Sequence, residues 1–598
     1  MTHTLDLAPI GNCAVSALVD AAGNFVWACA PRVDSDPIFS NLLSGVAASD
    51  QNAIGLWAID VADAVETKQS YMRNTAILRT EITDRDGGAV EIIDFAPRYR
   101  QWGRTYRPIT FIRRIRPLRG SPTITIRMRP ATDWGAALAP TTRGSNHIRY
   151  QCSDITLRMT TNGAVSHVLS ERPFRLEKPL GFFFGPDEGL EADVLSTIDR
   201  MLSETEAYWR DWTRSLAIPL DWQEVVIRAA IPLKLCAYEE TGAIVAALTT
   251  SIPEAPHSGR NWDYRYCWLR DAYYVVQALN RLGATDILEN YLGYLRNLAG
   301  SAKGGHIQPV YGVGYEPALI ERFVETVPGY RGMGPVRAGN QAYEHLQHDV
   351  YGQIILSNTQ AFFDQRLLRP ATVADFESLE KVGDRAFAMH DQPDASLWEF
   401  RGRSAIHTYS ALMCWAACDR LSNAAKQLDM PLRAEHWAMR AAIVREAIEK
   451  RAWNEELGRY AASFEGSAID ASLLQIVDLR FHAPDDPRHL STLNAVEKEL
   501  RHGDFLWRYN TPDDFGAPET AFNFCTFWFI EALHLAGRTD EARTLFESML
   551  SRRTSAGLLS EDISLADGSL WGNYPQTYSL VGLINCAVLL SRPWSAVR

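Results

Sequence analysis

Trp268-Leu269-Arg270-Asp271-Ala272-Tyr273-Tyr274-Val275-Val276-Gln277-Ala278-Leu279-Asn280-Arg281-Leu282 sets Trp268, Ala272, Val275, Val276, Leu279 and Leu282 at helical spacing. That period marks a helix with one side in a core. Comparable segments begin near Trp222, Thr285, Gln341, Thr372, Ala405, Pro431, Ala468, Thr492, Thr520, Asp540 and Gln576. Together they make roughly a dozen helices, most of ordinary length. The loops between them are uneven, and no fixed repeat of about 30–45 residues marks an open solenoid. The expected arrangement is helix pairs in a closed ring, an (α/α)6 toroidal barrel, whose inner-helix ends form a loop-lined funnel.

Upstream the period changes. Thr123-Ile124-Thr125-Ile126-Arg127-Met128 alternates, and Ile155, Leu157 and Met159 do the same, as half-buried strands do. Turn residues separate such segments at Ala22-Gly23-Asn24 and at Asp84-Arg85-Asp86-Gly87-Gly88. Short alternating strands with tight turns imply an antiparallel β-sandwich. The stretch from Asp199 to Trp212 is charged, helical in pattern and free of Pro and Gly. The expected organisation is a sandwich domain over 1–195, a helical connector over 196–220 and a catalytic barrel over 221–598.

The 598 residues are too many for one core. A net charge of -12 argues against a nucleic-acid partner, because phosphate-backbone binding rests on clustered Lys and Arg. The 17 Trp and 22 Tyr lean toward carbohydrate, since aromatic faces stack on sugar rings. Nothing from Met1 to Cys13 reads as a secretory signal, and no apolar run is long enough for a bilayer. The nine cysteines follow no framework spacing. Cys414 and Cys418 lack a His or Cys partner cluster and read as buried thiols rather than metal ligands. A cytoplasmic protein with no membrane or nucleic-acid partner, no metal and no cofactor is expected. Homo-oligomerisation is left open by the sequence.

Three stretches carry chemistry. Gly259 to Asp271 crowds Trp262, Tyr264, Tyr266 and Trp268 among Arg260, Asp263, Arg265, Arg270 and Asp271 at a helix entrance. Sugar pockets use that mixture, rings for stacking and charged groups for hydroxyls. Ser396-Leu397-Trp398-Glu399-Phe400 places a carboxyl between aromatics. Poor solvation there favours the protonated form a general acid needs. Leu559-Ser560-Glu561-Asp562 offers a second carboxyl, and local chemistry does not rank Glu561 above Asp562. Hydrolysing a glycoside takes two such groups on opposite sides of the scissile bond.

Trp268-Leu269-Arg270-Asp271, Leu397-Trp398-Glu399 and Leu559-Ser560-Glu561 resemble, in order, three signature regions of the family 15 glycoside hydrolases, which comprise glucoamylases, glucodextranases and bacterial or archaeal trehalases. Gly329-Tyr330-Arg331-Gly332 with Pro335 to Asn340, and Phe524 to Trp528, look like its prokaryotic branch. Ile10-Gly11-Asn12-Cys13, Val26-Trp27 and Pro31 to Ser35 are similar to the trehalase-like sandwich preceding such barrels. The resemblance implies Glu399 as general acid and Glu561 as general base. It implies Arg270 and Asp271 as the grip on the terminal glucose, Trp268 and Tyr264 as its aromatic walls, Trp398 beside the acid, and Arg508 as a substrate contact. Arg337 either touches substrate or clamps its own loop. His407 reads as a structural histidine.

The pattern departs from the fungal members on the leaving-group side. Phe400 stands where they carry a second glutamate, and Met333 falls about where they place a subsite tryptophan. The implied reaction is inverting exo-hydrolysis of short α-glucosides, glucoamylase-like, with trehalase as the alternative. An α-glucoside phosphorylase and a non-catalytic sugar-binding protein are the remaining rivals.

Overall fold

The computed structural model describes residues 3–301 and 306–597; positions 1–2 and 598, at the outer ends of the expected domains, lie outside them. Its first third is two packed antiparallel sheets. One runs in spatial order Leu7–Gly11, Ser16–Asp20, Phe25–Cys29, Leu56–Val61, Thr123–Arg129 and Phe174–Arg175, with Pro37–Phe39 on Phe25–Cys29. The other has eight strands, with Phe111–Arg119 between Ala89–Phe95 and Leu180–Pro186. Ile124, Ile126 and Met128 face inward as their alternation requires. Between the sheets, the rings of Phe25, Phe39, Trp57 and Phe184 meet edge-on or tilted at centroid distances of 5.3–6.5 Å. Buried Arg113 pairs with buried Asp94 at 2.8 Å, lies 4.6 Å over Phe25 and donates to the Trp57 carbonyl of the facing sheet. A charge whose three nitrogens all find acceptors is tolerated inside such a core.

Helix α1 (Val194–Arg214) bridges the two halves, its first turn capped by the Asp193 side chain. The barrel helices follow: α2 (Gln223–Cys236), α3 (Leu269–Arg281), α4 (Thr285–Ser301), α5 (Asp349–Thr359), α6 (Val373–Met389), α7 (Thr408–Gln427), α8 (Pro431–Arg451), α9 (Gln475–Asp478, continuing the 3-10 turn Ala471–Leu474), α10 (Pro487–Leu500), α11 (Asn523–Leu535), α12 (Thr539–Leu550) and α13 (Thr577–Leu590). Packing closes a ring of inner helices, α3 on α5, α5 on α7, α7 on the α9 turn, that turn on α11, α11 on α13, and α13 back on α3. The even-numbered helices pack outside them. The fold is therefore an antiparallel β-sandwich followed by an (α/α)6 barrel.

Three helices depart from the sequence reading. The segment expected near Gln341 is a 3-10 turn over Gln341–Glu344, capped by Asn340, and its helix begins only at Asp349. The segment expected near Thr492 starts at Pro487, because Asp486 caps it and Pro487 suits the first turn. The segment expected near Ala468 is one 3-10 turn and one helical turn, since Asp470 caps at once and Arg480, at φ 61°, reverses the chain.

The sandwich reaches the barrel at the loop before α3. Arg265, 1% exposed, pairs with Asp263 through two hydrogen bonds of 2.9 and 2.7 Å. It also lies 4.9 Å over Trp134 and donates to the Ser35 carbonyl, both in the sandwich. Tyr264 sits between these two anchored residues.

Candidate active site

The N-terminal ends of the inner helices surround one pocket. Its lining includes Tyr264, Trp268, Arg270, Asp271, Trp398, Glu399, Arg508 and Glu561, brought from four distant stretches of chain. Glu254, Tyr509, Phe522 and Tyr578 complete the inner wall.

Tyr264 and Trp268 pack edge-to-face at 5.4 Å, and each holds one of the two carboxyls. Trp268 Nε1 donates to Glu399 Oε1 at 2.7 Å, and Tyr264 Oη donates to Glu561 Oε1 at 2.6 Å. The two acids are thus fixed from one aromatic pair, separately from each other.

Glu399 ends a turn in which Ser396 and Glu399 both adopt left-handed backbone, at φ 64° and 60°. Non-glycine residues are uncommon there, and such strain gathers at functional sites. Asp394 fixes the turn by accepting from the Ser396 N–H at 3.1 Å, the His348 N–H at 2.8 Å and the Ser410 hydroxyl at 2.7 Å. Trp398 donates to Asp470 at 2.9 Å and packs on Tyr509. Poor solvation was the sequence expectation for Glu399. Its side chain is instead 24% exposed and also accepts from Arg270 Nη2 at 3.2 Å.

The deeply buried carboxyl is Glu561, at 2% exposure. Burial, then the neighbouring Glu254 charge, pushes its pKa up to about 8, against the pull of Tyr264, Arg508 and the Asn573 N–H. Gly572, at φ 74°, permits that last contact. A Cβ there would lie 2.5 Å from Glu561 Cβ, so only glycine lets this backbone press so close. Glu561 immediately precedes the strand Asp562–Ser564, and its carbonyl accepts from the Asn523 N–H at the start of α11. Asp562 turns away from the pocket, accepting from Thr520 at 3.1 Å. The alternation of extended chain thus separates two carboxyls that sequence alone did not rank.

Arg270 donates to Tyr578, Gln347 and Glu399 at 2.9, 2.8 and 3.2 Å. Beside it, burial raises Asp271 to about 7, against the pull of Arg270. Arg508 donates to Glu254 at 2.6 Å, and the Trp262 indole N–H donates to the other Glu254 oxygen at 2.9 Å. Sequence reasoning missed Glu254, which lies in a Pro-flanked loop with no motif around it.

Some expected residues lie elsewhere. Arg337 stands behind the wall, 5.0 Å over Trp262, paired with Glu321 and absent from the lining. Of its two readings, this geometry matches the clamp. His407 is buried beside Phe400 at 5.9 Å, and burial lowers its pKa to about 4. Met333 is buried away from the lining, its carbonyl accepting from Asn261. No described helix is long and apolar enough to cross a membrane.

The arrangement places two carboxyls, an aromatic pair and an adjacent Arg and Asp around one pocket, which suits acid–base attack on a sugar acetal. Comparisons with known proteins agree in class. The profile described as glycosyl hydrolases family 15 matches residues 221–588, and one described as trehalase-like, N-terminal matches residues 5–175. A trehalase of Thermoplasma volcanium is 31% identical over 597 residues, covering 97% of this chain and 92% of the relative. A trehalase of Mycolicibacterium smegmatis is 29% identical, covering 98% and 90%. Among solved structures, a bacterial glucoamylase complexed with acarbose superposes with a TM-score of 0.69 at 14% identity, covering 98% of this chain and 94% of its own. At that identity the likeness speaks for the fold.

Proposed function

The chain belongs to glycosyl hydrolases family 15 and is a glycoside hydrolase, and on that premise we propose that it hydrolyses α,α-trehalose with inversion. The observation carrying the chemistry is the Tyr264–Trp268 pair holding Glu561 and Glu399 in one pocket. The substrate reading is supported by relatives named trehalase that align along almost the whole chain, sandwich included. Short malto- and isomalto-glucosides form the second reading. An Arg270-Asp271 grip on a terminal glucose is indifferent to what hangs from its anomeric carbon.

In this mechanism the non-reducing glucose lies against Trp268 with its outer hydroxyls on Arg270 and Asp271. Glu399 protonates the glycosidic oxygen as the bond to the anomeric carbon breaks. Glu561, ionised, takes a proton from a water attacking the opposite ring face, and Tyr264 orients that carboxylate. Inversion leaves room for the water, with the carboxyls roughly 6.5–9.5 Å apart. On burial alone the proton would rest on Glu561, so the two roles need a test of their own.

Glucosyl fluoride supplies it, because a good leaving group needs no acid. Glu399→Gln should cost about 10²–10⁴-fold on trehalose and far less on α-glucosyl fluoride. Glu561→Gln should lose both substrates. The opposite pattern would exchange the roles. Proton NMR of fresh product gives the stereochemistry. Inversion at one carbon of trehalose releases equal α- and β-glucose at first, and retention releases only α. Glucose 1-phosphate as product would make the enzyme a phosphorylase instead.

A further inference from the structure

Arg270 and Asp271, the groups read above as holding the terminal glucose, are buried at 6% and 4% exposure, so on that reading the glucose lies deep and the groups at the mouth face the leaving sugar. That mouth lacks the second glutamate of the fungal pattern. Phe400 is turned inward, 8% exposed, onto Tyr509 at 5.6 Å. The next residue, Arg401, faces the opening instead, with its side chain 22% exposed and lining the same pocket as Glu399. Resting on the disaccharide-hydrolase reading above, we propose that Arg401 is the acceptor-side specificity residue, its guanidinium donating hydrogen bonds to hydroxyls of the departing sugar.

Three segments hold it ready. Its backbone N–H donates to Asp514 Oδ2 at 2.7 Å. Glu321 takes Nη2 at 2.9 Å and Nη1 at 3.3 Å. The guanidinium lies 4.7 Å over Trp262 and 5.7 Å from Phe515, rings that form the rim. Arg337 also pairs with Glu321 and backs Trp262, so two arginines share one carboxylate and one indole.

Glu321 occupies one edge of the Arg401 fork, and among the described residues nothing accepts from its Nε. A planar fork pinned on one edge presents its remaining N–H groups in fixed directions, with little entropy left to lose on binding. Such a donor set reads the hydroxyl oxygens of a second sugar ring, two residues along the chain from the acid that protonates the bond between the rings. A terminal glucose bearing no second ring makes no use of it.

The test compares leaving groups. Wild type, Arg401→Ala and Arg401→Lys are assayed on trehalose, maltose, isomaltose and α-glucosyl fluoride, whose leaving atom fills no acceptor site. Arg401→Ala should lower kcat/KM on the best disaccharide by about 10- to 100-fold, the range of a hydrogen bond to a charged group. Its fluoride hydrolysis should stay within about threefold of wild type, which also reports that the variant folds. Arg401→Lys should recover part of the loss, as a point charge without the fork. Equal losses on disaccharide and fluoride would overturn the proposal and make Arg401 a prop for the acid loop. Unchanged disaccharide hydrolysis would overturn it too. The wild-type panel keeps the two readings apart. Wild type active on maltose but not trehalose sinks the trehalose reading alone, and Arg401 is then judged on maltose. Wild type active on fluoride and no disaccharide sinks both.

Discussion

At the scale of single residues, the protonation of Glu561 depends first on burial and then on Glu254, a group no motif advertised. It lies 5% exposed on the side chain, paired with Arg508, and its charge raises Glu561 further above the ordinary carboxyl range than burial does alone. A base works only as the carboxylate. With its pKa raised, Glu561 is protonated at low pH and ionises as pH climbs, so kcat/KM should rise along an acid limb extending toward neutral pH and above. Glu254→Gln removes the neighbouring charge and frees Arg508, and both changes favour ionised Glu561. The limb should then move down by about one pH unit or more, as measured by kcat/KM on trehalose from pH 4 to 9. A limb that stays in place would show that burial alone sets it. Glu399 was legible as a carboxyl between aromatics, Glu561 only as a second carboxyl, and Arg270-Asp271 as charged groups among aromatic rings. The choice of Glu561 over Asp562 was not legible locally. It depends on which way a strand residue points, fixed by pairing with Thr520–Phe522, about 40 positions away in sequence.

At the scale of elements, the helical period gave the barrel and the alternating period gave the sandwich, because both follow from one-sided burial. Boundaries followed caps. Asp486-Pro487 moved one start, and Asp470 with left-handed Arg480 cut another helix to two turns. The acid loop obeys neither period, so its shape was invisible in the sequence. Its strained turn at Ser396 and Glu399 persists because Asp394 accepts from three donors there. Asp394 is almost fully buried, and that burial pushes its pKa up to about 7 against the three hydrogen bonds. Asp394→Ala leaves those donors unpaired and the turn free to relax, moving Glu399 without touching it. Misplacing a catalytic group by about 1 Å costs about 10²-fold. The expected outcome is therefore a loss of about that size in kcat, with KM for trehalose changed less than threefold. Asp394→Asn, able to keep part of the network, should fall between. A variant with unaltered kcat would show the turn is held by packing instead.

At the scale of the whole molecule, the sandwich meets the barrel at the loop that carries Tyr264. Arg265 connects the two domains, paired to Asp263, stacked on Trp134 and bonded to the Ser35 carbonyl, with Tyr264 carried between the anchored residues. Tyr264 in turn donates to Glu561. If Glu561 is the base proposed above, a displacement of the sandwich should reach it through Arg265, one backbone step from Tyr264. Arg265→Met keeps the bulk of the side chain and leaves Asp263 as a buried, unpaired charge. Breaking such a pair from one side costs about 3–5 kcal/mol, whereas replacing both partners with uncharged groups is often neutral. The single variant should therefore lower the thermal midpoint and reduce kcat. Asp263→Asn combined with Arg265→Met should recover most of the lost midpoint. If the sandwich positions the base, activity should stay low in that double variant, because the bonds to Trp134 and Ser35 are gone although the charge is balanced. Thermal unfolding and kcat on α-glucosyl fluoride, measured together, separate the two contributions. Recovery of both in step would mean that Arg265 only balances Asp263 and that the sandwich has no part in aiming Tyr264.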